Sequence, residues 1–102
     1  MPLIIYTTAP SKKEARKLAK KLCKRHLAAC VQTHKIKSHY HWQGRVCAES
    51  EIAMSIKTRK RLYKKVRRFL RCYHSYEVPQ IVAFKAYKVE KHYKRWLKKS
   101  VL

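Results

Sequence analysis

Residues 35–57, KIKSHYHWQGRVCAESEIAMSIK, decide how this chain folds. In the first half Ile36, Ser38, Tyr40 and Trp42 alternate with Lys35, Lys37, His39 and His41. In the second half Val46, Ala48, Ser50, Ile52, Met54 and Ile56 alternate with Cys47, Glu49, Glu51, Ala53, Ser55 and Lys57. A period of two belongs to a β-strand, whose successive side chains point to opposite faces. Gly44, the only glycine, falls between the runs, so they read as a long hairpin. A three-residue loop Gln43-Gly44-Arg45 predicts Trp42 opposite Val46 and Ile36 opposite Ile52, with Lys35 and Lys37 facing Glu49 and Glu51. A two-residue loop would set Ile36 against Glu51, so the three-residue register is the one expected.

The flanking segments follow the same logic. Leu3 to Thr8, LIIYTT, lies between Pro2 and Pro10 and is β-branched and aromatic-rich, which predicts a buried strand. Ser11 with Glu14 three residues on forms a capping box, and Ala15, Leu18, Ala19, Leu22 and His26 continue at helical spacing, giving a first helix over 11–26. Thr58 is the expected cap of a second helix over 59–73, with Leu62, Tyr63, Val66, Phe69, Leu70 and Tyr73 as its apolar stripe. Residues 78–87, VPQIVAFKAY, read as a fourth strand, with Pro79 tolerable near its start. Val89, Tyr93, Trp96, Leu97 and Val101 are in phase on a short third helix. The order βαββαβα is that of an α+β, ferredoxin-like fold: a four-stranded antiparallel sheet with two helices over one face. No linker or repeat divides residues 1–102, so one domain is expected. The hairpin is too long for the chain to cover its second face, and sheltering Tyr40 and Trp42 then requires further copies of the chain.

Composition sets this chain apart. Its 27 Lys+Arg face only 5 acidic residues, a formal charge of +22 in 102 residues. That far exceeds the magnitude of about 2 to 8 that keeps a small domain soluble, and it favours sequence-independent attraction to polyanions. There is no Asp and no Asn, although turns and helix caps ordinarily recruit both. This pattern suggests a charge-redesigned or restricted-alphabet version of a natural fold. Cys23, Cys30, Cys47 and Cys72 show neither a C-x-x-C pair nor a zinc knuckle, which disfavours a disulfide framework. Neither a membrane span nor a secretory apolar region is present, and a cytoplasmic location without membrane insertion is expected.

Several segments together resemble the CutA divalent-cation tolerance proteins: YTTAP (6–10), LAACV (27–31), Tyr40, Trp42, Gly44 and Arg45 in the hairpin, MSIKTR (54–59), HSYEVPQIVAF (74–84) and YKRWL (93–97). The chain departs from the family at Ser75, Gln32 and His41, and where the family is acidic it carries Lys or Arg. The resemblance implies a homotrimer built by pairing strands of neighbouring subunits, an association with copper tolerance, and no enzymatic activity. It also implies His74 and Cys30 as copper ligands, with Glu51 as a carboxylate partner. Imidazole and thiolate suit copper or zinc, and a metal is not expected to be required for folding.

Other constellations are weaker. His39 and His41 share a strand face with Lys35 and Lys37, so that face reads as solvated rather than as a metal clamp with His34. No Asp is available to orient a histidine, Glu49 and Glu51 are the only carboxylate pair, and no glycine-rich phosphate loop occurs. A ferredoxin-like sheet can also bind RNA, but the strand RVCAESEIAMSIK carries glutamates where stacking aromatics are needed. The alternative function is therefore a polycationic scaffold that binds nucleic acid or other polyanions through counterion release.

Overall fold

A computed structural model describes residues 1–102. The elements are β1 (Pro2–Ala9), α1 (Lys12–Lys24), β2 (Cys30–Trp42), β3 (Arg45–Arg59), a short 3-10 turn (Lys60–Leu62), α2 (Tyr63–Tyr73), β4 (Val82–Lys85) and α3 (Lys91–Ser100). The strands form one antiparallel sheet in the order β2-β3-β1-β4, the α+β, ferredoxin-like arrangement expected. β3 holds the sheet together. It pairs with β1 from Ile52 to Arg59 and with β2 along nearly its whole length.

One face of the sheet carries Leu3, Ile5 and Ala9 of β1 with Ile52, Met54 and Ile56 of β3. Against it pack Ala15, Leu18 and Leu22 of α1 and Val66, Phe69 and Leu70 of α2, all buried. These are the stripes read from the sequence, and each fully buried aliphatic side chain contributes about 1.5 to 3 kcal/mol. α3 lies elsewhere. Its Tyr93 ring sits 5.5 Å from the Lys57 ammonium, and Lys57 alternates with Ile56, so this helix reaches the sheet's second face.

The hairpin register differs from the expected one. Trp42 pairs with Arg45, Tyr40 with Cys47 and Ile36 with Glu51. The loop is therefore the two-residue Gln43-Gly44, whose φ values of 50° and 76° are those of a type I′ turn. That turn matches the right-handed twist of the flanking strands, and its geometry outweighs the cross-strand pairing that favoured three residues. In consequence Glu49 and Glu51 share a face with Ser38 and Tyr40 rather than with Lys35 and Lys37.

Three local expectations change as well. α1 stops at Lys24 because His26 takes φ 58°, its N–H bonding to Cys23 O and that of Leu27 to Leu22 O, each at 3.0 Å. This is a Schellman cap in which Leu27 folds back onto Leu22, with histidine where glycine is usual. Thr58 does not cap α2. It remains in β3, and its hydroxyl donates to Leu27 O at 2.6 Å in the interior. The first turn of α2 has no side-chain cap, in keeping with its lack of Asp and Asn. β4 is only four residues long, since residues 78–81 run without ladder partners.

Thr58 thus ties the end of β3 to the turn after α1, which leads a prediction. Thr58→Val keeps the shape but leaves the Leu27 carbonyl unpaired in a buried position, costing about 1 to 3 kcal/mol. Chemical denaturation at fixed protein concentration is expected to show a lowered midpoint for Thr58→Val and a smaller change for Thr58→Ser.

Candidate functional site

The polar groups of the interior converge where α2 ends. His74 leaves the helix in extended conformation, its N–H still bonded to Leu70 O at 2.9 Å. The imidazole then reaches the end of β1, where Nε2 lies 2.6 Å from Thr8 O. Nδ1 accepts the Tyr76 N–H at 3.1 Å. A carbonyl can only accept, so Nε2 carries the proton and the ring is held as one neutral tautomer. Glu14 Oε2 approaches Nδ1 at 3.5 Å, but it accepts its hydrogen bond from the Ser75 N–H at 3.1 Å. The capping box at Ser11 is therefore half formed: Ser11 accepts the Glu14 N–H, while the Glu14 carboxylate serves the loop after α2.

Tyr76 completes the cluster. Its ring leans on His74 with centroids 4.8 Å apart, and its hydroxyl donates to Glu51 Oε2 at 2.6 Å. Glu51 is buried at 9% exposure. Burial works against its charge, yet hydrogen bonds from Ser38, Tyr76 and Thr8 outweigh it and hold the carboxyl below its ordinary value. Burial first and Glu51 second push the Tyr76 phenol well above its usual range, so it remains a proton donor. Glu51 also borders a groove of about 410 Å³ that includes Lys35 and Lys37.

The structure brings His74 and Glu51 into one cluster. Cys30 is not among them: it opens β2 opposite Lys57, six residues along β3 from Glu51, roughly 20 Å at the rise of an extended strand. Within one chain no three His, Cys, Asp or Glu side chains converge as metal ligands. The His74 side chain is fully buried and both its nitrogens are engaged, so it offers no lone pair to a cation in this arrangement. The three residues as placed do not fit a metal centre in a single subunit. His34, His39 and His41 are exposed along β2, the latter two beside Lys37 as expected of a solvated face. The sequence reading missed Thr8, which meets His74 through its main-chain oxygen and Glu51 through its side chain, and Ser38, which only the two-residue turn brings beside Glu51.

The fold and this cluster can now be set beside known proteins. The profile of the CutA1 divalent ion tolerance protein matches residues 3–100. This chain belongs to that family. It is 40% identical over 97 residues to the divalent-cation tolerance protein CutA of Archaeoglobus fulgidus, covering 95% of each chain. The relative from Thermotoga maritima is 34% identical over 100 residues, with 98% and 99% covered. A solved structure described as the periplasmic divalent cation tolerance protein CutA from Archaeoglobus fulgidus superposes with a TM-score of 0.98 at 39% identity, over all of both chains. No helix here is long and apolar enough to cross a membrane. The expected cytoplasmic location gains no support from that relative, whose description is periplasmic.

Two predictions follow from the depressed Glu51 carboxyl. Its anionic form is favoured by folding, so the stability it contributes is complete above the ordinary value of 4.5 and is lost as pH falls through the lower folded value. Denaturation midpoints of the parent should fall more steeply below pH 4.5 than those of Glu51→Gln. Tyr76→Phe removes a hydrogen bond to a buried charge and should cost about 1.5 to 3 kcal/mol at neutral pH. In a double-mutant cycle with Glu51→Gln, that cost should shrink, because the charge it serves is gone.

Proposed function

We propose that this chain is a non-enzymatic homotrimer of the divalent-cation tolerance family. The observation that carries the reading is the ribbon formed by residues 36–51. Residues 45–51 of β3 pair with β2 alone, so the ribbon projects beyond the four-stranded sheet and supports itself poorly. Trp42 on this ribbon is 40% exposed, and Val82, Phe84 and Trp96 are also open to solvent. β2 and β4 are the two outer strands, each with an unpaired edge. Apolar side chains beside free edges support strand pairing between identical copies. His74, the one buried imidazole, is committed to main-chain groups on both nitrogens, which supports a structural rather than a general-base role.

Light scattering with size exclusion tests the assembly. The expected mass is three times the 12.3 kDa of one chain, with the assembled fraction rising from low to high salt as repulsion between chains of +22 is screened. A 12.3 kDa species at high salt would overturn the reading.

His74, Glu51 and Cys30 remain the proposed donors for a divalent ion, copper by the chemistry of imidazole and thiolate. His74 can take this role only by exchanging the Tyr76 N–H for the ion, and Cys30 only as a donor from another subunit. Weak Cu(II) binding is therefore expected, reduced in His74→Ala. Identical calorimetric curves for parent and variant would remove His74 from the set.

A second reading, a polycation that attracts nucleic acid, is favoured by one observation. The only ion-pair contacts within 4.0 Å are His74–Glu14 and His92–Glu90, so none of the 27 Lys+Arg has a carboxylate at that range. We propose further that this charge is an overlay imposed by redesign on a natural fold. Affinity for an oligonucleotide should fall steeply between about 50 and 200 mM salt.

A further inference from the structure

The cationic charge is not evenly spread. Between α1 and β2 lies a groove of about 370 Å³. Lys12, Arg16 and Lys20 recur every four residues along one side of α1 and line it, while Lys35 enters from β2. Its floor is apolar, made by Ala15, Ala19, Val31 and Ile52. Two consecutive elements, α1 and β2, thus present four cations to one concavity of a size that suits a small ligand.

Lys12 and Lys35 line the same groove from opposite sides, close enough that Lys35 lowers the Lys12 pKa. Lysine has three donors and no acceptor, so two protonated lysines in contact repel unless an acceptor stands between them. Lys35 above all, and Arg16 to a lesser degree, lower the Lys12 pKa in the absence of such an acceptor. No carboxylate lies within 4.0 Å of either ammonium. Glu14 faces Ser75, and Glu51 points to the opposite side of the sheet from Ile52.

We propose that this groove is a binding site for a small polyphosphate anion, its oxygens bridging Lys12 and Lys35 with Arg16 supplying paired N–H donors. Arginine presents a planar fork that matches phosphate geometry, and lysines act as point charges beside it. The site goes beyond the polycation reading, since it assigns the affinity to four residues rather than to the total charge. All four cations come from one chain.

The test is calorimetric titration with sodium tripolyphosphate and, separately, ATP at about 150 mM salt, where long-range attraction is largely screened. The parent is compared with K12Q/K35Q and with K98Q/K99Q, which removes the same two charges from exposed positions of α3. The site predicts at least about a tenfold loss in K12Q/K35Q and less than about a twofold loss in K98Q/K99Q. Arg16→Gln alone is expected to weaken binding severalfold, and it serves if the double variant does not fold. Without anion, K12Q/K35Q should melt at least as high as the parent, because the repulsive contact is gone. Tighter binding of ATP than of tripolyphosphate would mark a nucleotide as the source of the phosphates, and the reverse an inorganic chain. Equal losses in both double variants would overturn the site while leaving the polycation reading intact. Failure of the parent to bind either probe would also overturn the site, and oligonucleotide binding at low salt then judges the polycation reading separately.

Discussion

β3 is the element on which the structure depends, because it is paired on both sides and loaded on both faces. From Ile52 to Arg59 its main chain bonds to β1 on one edge and to β2 on the other. Its alternate residues Ile52, Met54 and Ile56 receive both helices, while Glu51 and Ala53 are buried on the other side. A slip of one residue would exchange these two sets and place a carboxylate against Leu18 and Phe69. The two-residue turn at Gln43-Gly44 fixes the alignment of β2 on this strand, and through it which side chains surround Glu51.

The cluster at the end of α2 is best understood as a fastening. The loop after α2 must cross from the helical layer to the sheet, and it does so with few glycines or turn residues to help it. His74 and Glu14 supply what the loop lacks, bonding Thr8 O, Tyr76 N–H and Ser75 N–H in turn. Tyr76 then carries the connection through the edge of the sheet to Glu51. Every ring nitrogen of His74 is spent on this task, which is why an imidazole identified by family resemblance as a copper ligand is occupied in the single chain.

The cationic surface follows different rules from the core. Its charges oppose the dipole at the start of α2, where Lys60 and Arg61 of the preceding 3-10 turn and Lys64 and Lys65 of the first helical turn stand without an acidic residue or a side-chain cap. They also crowd one another in the groove shared by Lys12 and Lys35, where Lys35 lowers the Lys12 pKa. Such conflicts are local and lie outside the buried set, so the interior of the family fold is retained beneath them. Cation–aromatic contacts relieve part of the crowding: Arg25 lies 4.9 Å from the Tyr73 ring centroid and donates to its hydroxyl at 2.9 Å, and Lys21 lies 4.3 Å from the same ring.

Hydrophobic periodicity alone determined the element types, their order and the helix stripes, because burial of alternate or every third and fourth side chain leaves a direct mark on the sequence. The recurrence of YTTAP, LAACV and HSYEVPQIVAF was enough to indicate the family. The register of the hairpin was misread, since side-chain pairing favoured a three-residue loop and the twist of the strands selected two residues. The ends of α1 and α2 depended on His26 adopting a left-handed conformation and on Thr58 turning inward to Leu27, both settled by contacts with distant segments. The candidate site was half legible: His74 and Glu51 could be named from their side chains, whereas Thr8 meets His74 through its carbonyl, and every residue has one. Only the folded chain decides which main-chain oxygen a histidine meets, and only the sheet's pairing sets Cys30 so far from Glu51.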